Sequence, residues 1–305
     1  VVLGFEMPCY HPVDAWRSKS GRDPRSGKWP ITFNPAQGYL DMPVKVPCGQ
    51  CIGCRLERSR QWALRCVHEA SLYEHNCFVT LTYNDKCLPP GGTLVKRDHQ
   101  LFLKRLRKYL EPEKIRYYMC GEYGEQLQRP HYHFILFNCD FKDKQLFKLN
   151  NGFPLYTSKT LELLWPFGFS TIGNVTFETC AYTARYVLKK INGDIAEDHY
   201  KGRLPEYTCM SRRPGIAHDW VEKYEDDVYP HDYVVIRNGI KCRPPRYYDK
   251  LYDLDHPDVF RGVKARRKYK ASKSPDGTYE RLHVRETVQL AKLKKLIRPY
   301  ENIKN

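Results

Sequence analysis

The sequence predicts an α+β fold: a central antiparallel sheet with flanking helices, preceded by an N-terminal Cys-rich element able to bind zinc. Three observations point there. Short β-rich runs alternate irregularly with segments of helical period, the order of a mixed antiparallel sheet. A chain of 305 residues with 41% apolar content can bury at least one full core. Finally, Cys48-x-x-Cys51-x-x-Cys54 concentrates thiols in one short stretch.

Residues 1–47 are rich in Pro and turn formers and are expected to be mostly irregular. A helix is expected over 55–75, with Leu56, Ala63, Leu64, Val67 and Ala70 inward and Glu57, Arg58 and Arg60 outward. Residues 78–83 (FVTLTY) read as a strand closed by Asn84-Asp85 turn chemistry. Residues 96–110 form the next helix, with Phe102, Leu103, Leu106 and Leu110 at helical spacing and Lys104, Arg105, Arg107 and Lys108 between them. Segments 115–123 and 131–138 are neighbouring strands joined by polar 124–130. A short helix near 160–164, a strand over 169–175 and a helix over 178–191 follow, with the helices on one face of the sheet. Beyond Asn192 the pattern weakens, with basic loops at 200–216 and 241–247 and a last helix over 280–298. The expected organisation is a Cys-rich segment 1–55, a catalytic domain 56–220 and a basic extension 221–305.

The chain carries 51 Lys and Arg against 35 Asp and Glu, a net charge of +16, which favours a polyanionic partner because each neutralised phosphate releases condensed counterions. Aromatics at 13%, 23 of them tyrosines, supply stacking surfaces for unpaired bases. No apolar run reaches the ~18 residues of a membrane span, so no membrane partner is expected. Residues 1–7 are too short and acidic for a secretory signal, and 12 cysteines without one point to a reducing cytoplasm.

His131 and His133 alternate with Tyr132, so both imidazoles share one strand face and suit one divalent ion. Glu122, ending the preceding strand, is the natural carboxylate ligand, and Glu125 competes with it. Tyr182 and Tyr186, four apart on a helix, share a face and suit two nucleophiles serving one site. Arg185, Lys189 and Lys190 beside them are candidate phosphate contacts. Cys9, Cys48, Cys51 and Cys54 offer four thiolates for a structural Zn²⁺, with His11 as a substitute for Cys9. Cys66, Cys77, Cys87, Cys139 and Cys180 read as packing residues. Residues 21–28 superficially resemble a phosphate loop, but the spacing is wrong and Trp29 replaces the required hydroxyl. Strand separation would therefore fall to another protein.

Phe78-Val-Thr-Leu-Thr82, His131-Tyr-His133 and Tyr182-x-x-Arg-Tyr186 resemble, in that order, the motifs of rolling-circle replication initiators, the HUH endonucleases. With Pro8-Cys-Tyr-His11 and Cys48-Gly-Gln-Cys-Ile-Gly-Cys54, the two-tyrosine form is similar to the initiators of gokushovirus-like microviruses. The resemblance implies a core related to the RNA-recognition and ferredoxin-like folds, and Mg²⁺ or Mn²⁺ at His131 and His133 with Glu122 as the acidic partner. It also implies nucleophilic Tyr182 and Tyr186, and a 5′-phosphotyrosine link that frees a 3′-OH to prime host polymerase. The expected partners are single-stranded or locally melted origin DNA, a host helicase and a host DNA polymerase, in the bacterial cytoplasm. One departure stands out: the family often has Lys where this chain has Arg185, which grips phosphate bidentately but cannot relay a proton. Two rivals share these residues, a His/His/Glu metal oxygenase and a non-catalytic nucleic-acid-binding protein with a structural zinc.

Overall fold

The computed structural model describes residues 8–24, 27–124, 127–150, 152–185, 195–236 and 239–295. By contact density it divides into two units, one built on 58–265 and the other on 6–57 with 266–296.

In the smaller unit, β1 (Val13–Ser18), β2 (Ile31–Thr32) and β3 (Gly38–Val46) form an antiparallel sheet in the order β2-β1-β3. The expectation of an irregular 1–47 is corrected here. Alternation fails as a signal because these strands have almost no buried face, Ala15 being the one buried residue of β1. Helix α1 (Ile52–Ala70) follows.

The larger unit contains β4 (Asn76–Tyr83), α2 (Lys96–Leu110), β5 (Arg116–Tyr123), β6 (Pro130–Phe137), β7 (Gln145–Asn150), β8 (Phe153–Thr157), α3 (Lys159–Leu164) and β9 (Gly168–Asn174). It continues with α4 (Phe177–Arg185), α5 (Ile195–Tyr200), β10 (Tyr207–Met210), α6 (His218–Val228), β11 (Val234–Val235), β12 (Lys241–Cys242) and α7 (Arg246–Asp255). Beyond it run α8 (Pro257–Ser272) and α9 (Tyr279–Lys294). Seven strands form one antiparallel sheet in the order β10-β5-β6-β4-β9-β8-β7. β10 corrects the expected loop at 200–216: it is a short edge strand whose pairing with β5 is non-local and leaves no periodic trace.

Helices cover both faces of this sheet, not one as expected. Cys77, Val79, Leu81, Met119, Phe134 and Leu136 pack with Phe102 and Leu106 of α2 and Leu161 of α3. Phe78, Tyr118, Ile135 and Phe137 pack on the opposite face with α1, α4, α6 and α7. Near-continuous apolar runs such as Phe134-Ile-Leu-Phe137 are the sign of a strand buried on both sides.

Two charged residues expected outward on α1 are buried. Glu57 is buried, and Arg60 is enclosed with its guanidinium donating to the Arg243 carbonyl at 2.9 Å. A long cation sits inside only when its N–H groups find acceptors, which periodicity cannot foresee. Cys66, Cys77, Cys139 and Cys180 are buried as expected, and Cys87 half-buried.

His68 on α1 lies against Trp220, ring centroids 3.7 Å apart, with Nδ1 sharing a hydrogen bond with Tyr248 Oη at 2.8 Å. Burial draws its pKa down to about 3. Below the ordinary value near 6.5 the unfolded chain takes up a proton that the folded chain refuses. Stability should therefore fall as pH drops from about 6.5 toward 3, by up to ~1.4 kcal/mol per pH unit for this residue. Denaturant midpoints at pH 7 and pH 5 measure this, and His68→Gln should flatten the slope.

Candidate functional site

Antiparallel register brings the predicted residues of β5 and β6 together. Glu122 is the partner of His131 and Cys120 that of His133, while on the other side Thr82 and Thr80 partner the same two histidines. Residues directly opposite share a face. The two imidazoles lie parallel, 6.2 Å apart. His133 Nε2 meets Glu122 Oε1 at 2.9 Å, both side chains almost wholly enclosed.

Hydrogen bonds fix how each ring is used. His131 Nδ1 donates to the Arg129 carbonyl at 2.6 Å, so Nε2 carries the lone pair. Burial, then the neighbouring His133, pulls the His131 pKa down to about 4, and the ring is neutral at physiological pH. His133 Nδ1 is held by Thr80 Oγ1 at 3.0 Å, and Phe78 stacks on the ring at 5.7 Å. Thr80 is a site residue that the sequence reading misses. The alternation that aligns the histidines, applied to Phe78-Val-Thr-Leu-Thr82, places both threonines on the same face.

A neutral, oriented imidazole, a second imidazole and a carboxylate form a donor set that suits a divalent ion by its chemistry. Their ligand atoms do not all lie within 4.8 Å of one another, because Glu122 is engaged with His133 and His131 stands to one side. Holding an ion would require opening the Glu122–His133 contact.

Helix α4 brings Tyr182 to the same face. Its start is set by Thr176 and Thr179, which exchange backbone-to-hydroxyl bonds of 2.8 and 3.2 Å in a capping-box arrangement. The Tyr182 ring stands edge-on to His133, centroids 5.4 Å apart, and edge-on to Phe78 at 6.2 Å. It is 5% exposed, so the ring is beside the histidines but covered. Arg185 ends α4, half-buried. Tyr186, Lys189, Lys190 and Glu125 lie outside the described residues.

Within the smaller unit, Cys9, Cys48, Cys51 and Cys54 bring all four sulfurs within 4.8 Å of one another. Cys9 Sγ lies 3.6 Å from Cys48 Sγ and 4.0 Å from Cys51 Sγ. A tetrahedral ion with Zn–S bonds of about 2.3 Å needs sulfurs roughly 3.8 Å apart, so the group could hold zinc. Amide N–H groups already face these sulfurs: Cys48 to Cys9 at 3.2 Å, Cys51 to Cys48 at 3.3 Å, and Tyr10 to Cys51 at 3.3 Å. Burial pushes the Cys48 thiol up, but N–H bonds from Cys51 and Gln50 outweigh it and bring it to about 7. Burial raises Cys9 and Cys54. His11 is not the fourth member, since its Nε2 is 2.7 Å from Glu286 on α9. Gly53 allows the closure: a Cβ there would lie 2.0 Å from the Pro8 carbonyl oxygen. The other converging group among the described residues, His218, Asp219 and Glu222, lies on the exposed first turn of α6.

Residues 76–191, which contain β4, β6, α4 and the described site, match the family model of the replication-associated protein ORF2. The chain belongs to the replication-associated proteins of phages. It is 36% identical over 271 residues to replication-associated protein ORF2 of Spiroplasma virus 4, covering 83% of each chain. It is 34% identical over 233 residues to replication-associated protein VP4 of Bdellovibrio phage phiMH2K, covering 74% of this chain and 73% of that one. Identity to replication-associated protein ORF4 of Chlamydia phage 1 is 30% over 217 residues, with 68% and 53% covered. No solved structure matches.

Proposed function

We propose that this chain is a metal-dependent, site-specific single-stranded DNA endonuclease and strand-transferase of the two-tyrosine HUH type, initiating rolling-circle replication of a small phage genome. The observation that carries the proposal is the placement of Tyr182 edge-on to His133, on the face shared by His131 and Glu122. A nucleophile and a cation-binding donor set next to each other are what phosphodiester transfer requires.

A divalent ion bound by His131, His133 and Glu122 would polarise a non-bridging phosphate oxygen. Two nitrogens and one carboxylate are softer than the all-oxygen surroundings Mg²⁺ prefers, which favours Mn²⁺ of the two. The Tyr182 phenol oxygen attacks phosphorus, the bond to the 3′-oxygen breaks, and the phenol proton is lost as the 3′-oxygen gains one. The product is a 5′-phosphotyrosine and a free 3′-OH. One phosphodiester replaces another, so no nucleotide fuel is consumed, and Tyr186 would take the second junction. Because Tyr182 is covered in the DNA-free chain, its hydroxyl must be uncovered for attack. Arg185, Lys189 and Lys190 would hold the backbone, and Cys9, Cys48, Cys51 and Cys54 a structural zinc. Origin DNA, a host helicase and a host polymerase would be the partners, in the bacterial cytoplasm. Among the described residues, no helix is long and apolar enough to cross a membrane.

The test is incubation of the full chain with labelled origin oligonucleotides and Mn²⁺ or Mg²⁺. A denaturation-resistant protein–DNA band is expected with metal and none with EDTA. A chain that binds the DNA but leaves it uncut under every divalent metal would overturn the proposal.

A further inference from the structure

We propose that Phe169 is the stacking platform for the unpaired base beside the phosphate held at His131 and His133, so that a single strand enters the site over β9. This rests on the nuclease reading above and names how that site takes its substrate.

The register carries the placement. Thr82 on β4 pairs with His131 on one side and with Phe169 on the other, while His131 pairs with Glu122. Glu122, His131, Thr82 and Phe169 therefore form one row across four strands, on one face. With strands about 4.8 Å apart, the Phe169 backbone lies roughly 10 Å from that of His131.

Burial along this face gives the direction of entry. On β5, Tyr118, Cys120 and Glu122 are all enclosed, as are Phe78, Thr80 and Thr82 on β4. On β9 the cover thins from buried Gly173 through half-buried Thr171 to Phe169, which is 65% exposed. The histidine row is thus closed at its Glu122 end and open at its Phe169 end.

Phe169 is exposed yet anchored. A Cβ on the preceding Gly168 would lie 2.4 Å from the Thr82 carbonyl oxygen and 2.3 Å from the Asn84 nitrogen, so the backbone here is pressed against β4. Asn84 N–H donates to the Phe167 carbonyl at 3.0 Å, and the Phe167 ring packs on Trp165 at 5.0 Å. A large aromatic on a fixed backbone suits a nucleobase, whose π-face stacks whatever its identity. The occupant is a base and not an apolar protein segment because the row leads to a phosphate-binding donor set in a chain of net charge +16.

The experiment measures binding of single-stranded oligonucleotides by the full chain without divalent metal, alongside cleavage with it. Phe169→Ala should weaken single-strand binding roughly 5- to 150-fold, the range of one base–aromatic contact, and leave duplex binding and the melting temperature unchanged. Phe169→Trp should restore it, and in cleavage Phe169→Ala should raise KM more than it lowers kcat. Unchanged affinity in Phe169→Ala, no rescue by Trp, or a change in self-association in place of DNA affinity would each overturn the platform. The two proposals fail separately. Lost affinity in a chain that never cleaves would leave the platform standing without the nuclease, and cleavage with unchanged affinity would do the reverse.

Discussion

The doubly substituted Tyr182→Phe, Tyr186→Phe chain is expected to form no covalent adduct with origin DNA, while binding it as the unaltered chain does. Tyrosine, with an ordinary pKa near 10, attacks only when positioned and relieved of its proton, and phenylalanine has no oxygen to offer. The substitution is conservative for packing. The edge-on contacts of Tyr182 with His133 and Phe78 are ring contacts that phenylalanine keeps, so the melting temperature should move little. Each single variant should lose one part of the cleavage-and-rejoining cycle. His131→Ala or His133→Ala should instead leave both tyrosines in place and slow adduct formation about 10²- to 10³-fold, the equivalent of several kcal/mol of charge stabilisation. A normal adduct from the double variant, assayed by mass-mapping of the DNA-linked peptide, would move the nucleophile elsewhere.

Removing the metal from the cysteine cluster should have the largest effect on stability. Four sulfurs within 4.8 Å of one another are held by residues at both ends of β1–β3 and by the start of α1. A structural zinc contributes on the order of 10 kcal/mol to the fold of a small element that buries little apolar surface. The β1–β3 sheet is such an element, its strands being largely exposed. Purified chain should carry one zinc. Cys51→Ser should lose most of it, and the unit built on 6–57 and 266–296 should become protease-sensitive while 58–265 resists. His11→Ala should keep the metal, because His11 is engaged with Glu286. Full zinc occupancy in Cys51→Ser, measured by atomic emission, would remove Cys51 from the ligand set.

How much of this is legible in the sequence follows from what each signal depends on. His131, His133 and Glu122 can be placed on one face because strand alternation and a short connection are local properties. The cysteine set is legible because three of its members are close in sequence, and Cys9 stands out by its Pro-Cys-Tyr-His setting. Periodicity misplaces Arg60 because its acceptor, the Arg243 carbonyl, is far away in sequence. Phe169 reads only as the start of a strand. Its alignment with His131 passes through Thr82, and a register across three strands leaves no mark on any one of them.

Local periodicity and residue chemistry alone established the alternation of strands and helices, the paired imidazoles, the thiol set and the basic character suited to a polyanion. Those properties belong to single segments and survive without knowing what packs where. Tertiary structure decided that the sheet is covered on both faces, that Glu122 engages His133 and that the Tyr182 ring is enclosed beside them. It also decided that the histidine row is open at Phe169. Each of these depends on non-local pairing and burial, which are set by the partners a segment finds and not by the segment itself.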